Sequence, residues 1–219
     1  ISIVHGNDLR INLAWQPAAR CFGRKFIWHQ RAVPTPSRLW MSAPLLSHRV
    51  ICISRAVRDA LHGGGRKNVE VIDNPFESPP SIDRGQARIL LAEELGVAAE
   101  TPNIGFVGRL VPQKRPEIFL RAALQVCEAI PGAKIVIAAP RDAAAEQLLI
   151  TIAAKSASGA RLHFVGFRQP IEPLLAAFDV LFVPAIADGF GRTLIEAGSV
   201  RTPVVAARSG GHVEACHSG

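Results

Sequence analysis

The sequence contains no tyrosine, one methionine and three tryptophans, and aromatic residues fill only 6% of its 219 positions. A ladder of stacking aromatics for nucleic acid is therefore absent, and neither a helix-turn-helix nor an RNP pattern is present, so no nucleic-acid partner is expected. The four cysteines (Cys21, Cys52, Cys127 and Cys216) stand far apart with no Cys-x-x-Cys pair. That spacing excludes a zinc ribbon and offers no disulfide framework, so a reducing, cytoplasmic compartment is the default expectation. Long hydrophobic runs are missing as well: Val180–Val183 and Ile135–Ala139 fall far short of the roughly 20 residues that span a bilayer. No Asp-x-Asp motif and no His/Cys ligand cluster occurs, so the sequence offers no motif for a metal or another cofactor. There is no initiator methionine or signal peptide. The chain opens in a strand-like Ile-Ser-Ile-Val run and stops just past a helix start, which reads as an internal piece of a longer protein.

What is present is ordinary globular composition, 48% apolar and 20% charged. Charge is uneven. Residues 1–85 hold 12 Lys and Arg against 6 Asp and Glu, whereas residues 86–219 hold 13 against 12. A basic first part suits an anionic lipid surface or an anionic substrate, or else simply solvates the surface.

Short, continuously apolar, β-branched strands alternate with helix-length segments, the pattern of parallel strands buried on both faces. Strands are expected at 1–5, 25–29, 49–53 and 68–72, with helices at 8–20, 36–46 and 54–62 between them. The Pro/Ser-rich run Asn74–Ser81 reads as a linker. Beyond it come strands at 103–107, 133–139, 161–165, 179–183 and 203–207, and helices at 84–95, 115–129, 142–156, 170–177, 191–200 and 210–216. The expectation is an α/β protein of two doubly wound Rossmann-like lobes, 1–80 and 81–219, the first partial and the second nearly complete.

Ligands of such sheets bind beyond the carboxyl ends of the strands. The exits there are Gly108–Lys114, Gly166–Arg168, Pro184–Gly191 and Arg208–Gly211, which hold most of the second lobe's glycines. Arg109 and Lys114 flank a strand-to-helix turn, where two cations suit a diphosphate or merely cap a helix start. In the run Asp188–Glu196, Gly189 and Gly191 allow close backbone approach, and the amides of Arg192, Thr193 and Leu194 open a helix toward an anion. Glu196, one turn in, can accept two hydroxyl hydrogen bonds, as from a ribose diol, and Asp188 can meet a sugar hydroxyl. Glu196 is also readable as an acid favoured by a helix start, and Asp188 as an ordinary surface residue. The run His62–Arg66 follows a helix rather than a strand and is read as a turn.

Gly108-Arg109-Leu110 with Lys114, the Asp-Gly-Phe-Gly run closing on Glu196-Ala197, and Gly210-Gly211 with Glu214 resemble, in order and spacing, the retaining GT-B glycosyltransferases of group 1, family 4 type. In the first lobe Ile27–Arg31 resembles that family's strand ending in a histidine, Val50–Arg55 its strand-Ser-helix segment, and Val69–Asn74 its last strand before the crossover. The resemblance implies a GT-B fold and transfer of a sugar from a nucleoside-diphosphate sugar to an acceptor hydroxyl, with retention and without a required metal. The acceptor implied is a carbohydrate or a lipid-linked sugar, with peripheral contact to an anionic membrane. It assigns Gly108, Arg109 and Lys114 to the donor diphosphate, the Arg192–Leu194 amides to phosphate and Glu196 to the ribose. Phe190 and Gly191 would lie against the transferred sugar, and His29 would face that sugar from the first lobe. His5 and Asn7 resemble the polar tip of a neighbouring loop, and for either histidine a structural hydrogen bond is the competing role. One departure stands out: the family's motif is commonly Glu-x7-Glu, and the first acid here is Asp188. Other GT-B activities, phosphorylase or epimerase, and a non-catalytic nucleotide-sugar-binding role are the alternatives.

Overall fold

The computed structural model describes residues 2–7, 9–34, 37–62, 65–76 and 81–216. Two compact units emerge, one of Ile1–Phe76 with Ala187–Gly191 and Arg208–Gly219, the other of Glu77–Ile186 with Arg192–Ala207. The division expected after residue 80 differs from this one chiefly in the two short returns of chain, 187–191 and 208–219, which pack with the first unit.

In the first unit β1 (Ile3–Gly6), β2 (Lys25–Gln30), β3 (Arg49–Cys52) and β4 (Val69–Val71) form a wholly parallel sheet in chain order. Phe26, Trp28, Val50, Cys52 and Val57 are its buried core. The crossovers carry α1 (Leu9–Cys21), α2 (Arg38–Ser42) and α3 (Arg55–Asp59). The helix expected over 36–46 is instead α2 followed by a 3₁₀ turn at Ala43–Leu46. Pro44 causes this, because it has no N–H to continue the α-helical ladder. The helix expected over 54–62 is also shorter, since Ser54 is its N-cap and accepts a hydrogen bond from the Val57 amide. Positions 63–64 of the glycine run and 77–80 of the linker lie outside the described residues.

Helix α1 has its polarity reversed. Its buried positions are Asn12, Gln16 and Ala19. Gln16 donates to Ser47 Oγ at 2.6 Å and to the Ala43 carbonyl at 3.2 Å, so a polar side chain rather than an apolar one fastens the helix. Ile11 and Trp15, which flank that stripe, are more than half exposed, and Phe22 just beyond the helix is 78% exposed.

The second unit opens with α4 (Arg84–Leu95), N-capped by Asp83, whose Oδ1 accepts from the Gly85 and Gln86 amides. Then follow β5 (Asn103–Val107), α5 (Pro116–Ala129), β6 (Lys134–Ala138), α6 (Ala143–Ala153), β7 (Leu162–Phe164), α7 (Glu172–Ala177), β8 (Val180–Val183), α8 (Arg192–Ser199) and β9 (Val204–Ala206). The five strands are parallel in the order β7-β6-β5-β8-β9, so the winding reverses between β5 and β8. Phe106, Phe119, Leu120, Ile135, Ile137 and Leu149 lie buried in one cluster, where α5 and α6 cover the sheet. The amphipathic spacing of α5 explains this, since Phe119, Leu120, Ala123, Leu124 and Cys127 share its inward stripe. Asp179 fixes the lower edge: it takes Arg88 at 2.6 Å on Oδ1 and the Asn103 amide at 2.8 Å on Oδ2. Together these features are the doubly wound, parallel α/β architecture anticipated from the alternating pattern.

The helix expected over 142–156 stops at Ala153, and that expected over 170–177 begins at Glu172. The last helix, α9 (His212–Ala215), belongs to the first unit.

Candidate functional site

The reversal of strand order leaves a crevice at the carboxyl ends of the second unit's strands, where ligands of doubly wound sheets bind. A cavity of about 470 Å³ lies there. Gly108 and Arg109 leave β5 into it, Ala138 and Pro140 leave β6, and Phe167–Glu172 form the wall after β7. Arg192 and Glu196 of α8 complete the lining. Of the residues singled out from sequence, Gly108, Arg109, Arg192 and Glu196 are brought together here. The mouth combines an exposed guanidinium with the start of α8, whose first amides have no partner within the helix.

Glu196 is the cavity's sheltered acid. Its side chain is only 14% exposed and takes Arg192 Nε at 2.6 Å, one turn away on the same helix. Arg192 itself is 74% exposed. Because the guanidinium end of the pair stands in solvent, it is worth about 1 kcal/mol or less, so the arginine yields to a competing hydroxyl. Leu194 is buried on the inner face of α8, and Thr193 sits between it and the exposed Arg192.

Lys114 is not among the cavity's lining residues. It ends the 3₁₀ turn Pro112–Lys114 and is half-buried, and its stem comes within 4.0 Å of where a Cβ on Gly108 would stand. Of the wall after β7, the sequence pointed to the exit Gly166–Arg168 and not to its continuation through Glu172; Phe167 is 64% exposed and Arg168 pairs with Glu94.

The remaining candidates belong to the first unit. Asp188 Oδ1 accepts from the Gly189 amide at 3.0 Å, and Oδ2 lies 3.5 Å from His212 Nε2. Two loops interlock around this acid: the Gly211 amide donates to the Asp188 carbonyl at 2.9 Å, and the Ala187 amide donates to Ser209 Oγ at 3.1 Å. A Cβ on Gly211 would stand 2.5 Å from the Gly189 carbonyl oxygen and from Phe190 Cα, so only glycine fits. Gly191 has φ +83°, and a Cβ there would come 2.7 Å from His212 Cδ2. Phe190 is buried, its ring stacked on Phe76 with centroids 5.8 Å apart.

The same loops are fastened to α3. Ser54 Oγ donates to the Gly189 carbonyl at 2.6 Å, and Glu214 accepts the Arg55 and Ala56 amides at 2.8 and 2.7 Å. Glu214 thus closes the first turn of α3 from outside that helix, a carboxylate placed where the helix dipole favours it. The sequence marked Glu214 only by its spacing from a glycine pair, and marked Ser54 only by its place before a helix.

His29 is half-buried on β2 and stacks on His5, with ring centroids 5.6 Å apart and planes inclined by 14°. Burial, then the nearby Arg31 and His5, push its pKa below the usual histidine value. Its Nε2 is enclosed and meets no hydrogen-bonding partner among the described residues. Asn7, at the end of β1, is exposed. Among the described residues no three His, Cys, Asp or Glu side chains converge as metal ligands, and no helix is long and apolar enough to cross a membrane.

Comparison with known proteins gives this geometry a setting. The family model described as Glycosyl transferases group 1 matches residues 101–219. A D-inositol 3-phosphate glycosyltransferase of Nocardia farcinica is 32% identical over 171 residues, covering 73% of this chain and 36% of that protein. The enzyme of the same name from Mycobacterium bovis is 31% identical over 157 residues, covering 69% and 32%. The chain therefore spans about a third of the length of these curated relatives. Among solved structures, Anabaena Alr3699/HepE in complex with UDP and glucose superposes with a TM-score of 0.87 at 26% identity, covering 100% of this chain and 62% of that one. Sucrose-phosphate synthase from Thermosynechococcus elongatus matches at TM-score 0.78 and 19% identity, covering 96% and 57%, which is a likeness of fold alone.

Proposed function

This chain belongs to the group 1 glycosyltransferases, and from that premise we propose that it is the donor-binding part of an enzyme that moves a sugar from a nucleoside-diphosphate sugar to an acceptor hydroxyl with retention of anomeric configuration. The carrying observation is the second unit's cavity, where Arg109, the start of α8 and the sheltered Glu196 line one space at the strand-order reversal. HepE, 62% of which matches the whole of this chain, was solved with UDP and with UDP-glucose, which supports a nucleotide-sugar donor.

In this reading Arg109, with Lys114 behind Gly108, meets the diphosphate, and the amides of Arg192, Thr193 and Leu194 receive phosphate oxygens. Glu196 exchanges Arg192 for the two ribose hydroxyls. Asp188 accepts from a hydroxyl of the transferred sugar, beside Gly189 and Gly191, and His29 faces that sugar with its enclosed Nε2. Phe190, buried on Phe76, shapes the sugar-side loop from beneath. The leaving nucleoside diphosphate gains charge as its bond to the sugar breaks, and fixed cations and helix amides stabilise that charge without reorganising. No metal ion is assigned a step.

The acceptor is a carbohydrate or a lipid-linked sugar, and the reversed polarity of α1 favours a peripheral membrane contact. Trp15 and Phe22 are exposed there beside Arg20, Arg24 and Lys25, apolar and cationic groups side by side. Each cation near an anionic surface contributes about 1 kcal/mol, which salt screens.

The test is a screen of UDP-, GDP- and ADP-sugars on the full-length protein, reading release of the nucleoside diphosphate. Release by the unaltered protein, falling about 10²–10³-fold in Arg109→Ala, is the expected result. Binding without release would favour the non-catalytic alternative, and neither binding nor release would overturn the reading.

A further inference from the structure

We propose that His212 is a positioning residue for Asp188, and that the two side chains act as one unit in recognising the transferred sugar. This rests on the reading of Asp188 as a sugar-contacting acid and adds to it a residue on a separate element. No sequence feature pointed to His212, which directly follows the Gly210-Gly211 pair.

The geometry is specific. His212 is only 2% exposed, and its Nε2 stands 3.5 Å from Asp188 Oδ2. The other oxygen of that carboxylate accepts the Gly189 amide, so the two oxygens lie beside a backbone N–H and an imidazole nitrogen, both of the first unit. At 3.5 Å the contact is longer than a full hydrogen bond, and a shift of about half an ångström would close it. The ring has little freedom to retreat. Gly191 lies against its Cδ2, and the Gly211 amide ties the backbone beneath it to the Asp188 carbonyl. Glu214, one residue past Val213 on α9, is itself held by the α3 amides. The histidine is therefore anchored through α9 to the β3–α3 turn, and it carries that rigidity to the carboxylate.

The chemistry follows from side-chain length. An aspartate reaches about one methylene less far than a glutamate, so its oxygens sample a smaller region and must be aimed by their surroundings. A donor at Oδ2 orients the carboxylate plane toward a sugar hydroxyl, an orientation that the side chain would hold only part of the time without it. His212 does not touch the sugar in this scheme. It acts through Asp188, so its effect is confined to ligands that carry the sugar.

The test uses the full-length protein with UDP-glucose and UDP as probes, measuring affinity for each and steady-state kcat and KM. The variants are His212→Leu, His212→Gln, Asp188→Asn and the Asp188→Asn/His212→Leu pair. His212→Leu should weaken UDP-glucose about tenfold while changing UDP less than about twofold, a loss in the range of couplings between contacting residues. His212→Gln, which keeps an N–H at nearly the same reach, should recover UDP-glucose affinity to within about threefold. The double variant should lose little more than the worse single one. Equal losses for UDP and UDP-glucose, failure of glutamine to rescue, or strictly additive losses would each overturn the role of His212. If His212→Leu does not fold, His212→Gln and Asp188→Asn still supply the sugar-against-nucleotide comparison. If the unaltered protein binds neither probe, the functional reading for this donor falls and this inference with it, whereas binding with additive losses removes His212 alone.

Discussion

Asp188 and Glu196 are eight positions apart in one motif, yet they are built in different ways. Glu196 is a helix residue. Its carboxylate answers to Arg192, one turn away, and both lie in the second unit. Asp188 is a loop residue of the first unit, set by a backbone amide on one oxygen and by His212 on the other. The helical acid depends on local spacing that any amphipathic helix supplies. The loop acid depends on partners 24 residues later in the chain and on a glycine pair that lets two loops interlock. A short linear motif thus divides between two compact units, with the break falling between Gly191 and Arg192.

The largest expected effect attacks the loop acid alone. In Gly211→Ala the new Cβ would meet backbone atoms of Gly189 and Phe190 at 2.5 Å, and backbone cannot turn aside as a long side chain can. Overpacking of this kind costs about 1–3 kcal/mol, and the upper end is expected here. Urea unfolding of the full-length protein should report that loss, with nucleoside diphosphate binding retained. Loss of nucleotide binding at unchanged stability would break the contrast between the two acids.

Next in size is the division of labour between the acids. Glu196→Gln should weaken a free nucleoside diphosphate and its sugar conjugate alike, by about 1.5–3 kcal/mol, the range for hydrogen bonds to a charged group. Asp188→Asn should weaken only the sugar conjugate. Calorimetric titration of both ligands against both variants checks this, and a matching pattern for the two variants would erase the distinction.

A smaller effect separates the anchors behind each acid. Glu214→Gln removes charge from the cap on α3 and should lower stability by about 1 kcal/mol. Arg192→Ala removes an exposed i,i+4 partner and should change it by less than about 0.5 kcal/mol. Thermal unfolding of the two variants side by side gives the answer, and a larger loss at Arg192 would reverse the ranking.

This contrast also explains what the sequence made legible. The strands and α-helices of the second unit were anticipated from apolar runs and helical spacing, although α6 stops three residues early and α7 begins two late; in the first unit Pro44 ends α2 and Ser54 sets the start of α3. The Arg109 exit and the α8 start were readable because the chemistry lies within a few residues of a strand end. Glu214 on the α3 amides, Gln16 on Ser47 and His212 beside Asp188 were not readable, because each joins segments distant in sequence. The reversed face of α1 was hidden for the same reason. Asn12 and Gln16 look like solvent-facing residues until the turn that encloses them is known.

The smallest effect compares the units through one histidine in each. Burial lowers the pKa of His29 on β2, reinforced by Arg31 and His5, and burial lowers that of His163 on β7, reinforced by Lys134. Both rings hold an enclosed Nε2 with no hydrogen-bonding partner among the described residues, so protonation in place has no acceptor to reward it. The folded state therefore binds fewer protons than the unfolded chain at mildly acid pH. Stability must fall as pH drops below the ordinary value of 6.5, and it stops falling from this cause once the lowered folded-state values are passed. Well above 6.5 both states are neutral at these rings and neither histidine contributes a slope. Because both rings are part-exposed, the change should be modest, a few degrees in Tm between neutral pH and about pH 5.5. His163→Gln lies away from the cavity and should flatten its share of the slope without touching nucleotide binding. His29→Gln should flatten its own share and also impair sugar transfer. A Tm that rises on acidification in the unaltered protein, and stays unchanged by both substitutions, would show that neither ring is held neutral by the fold.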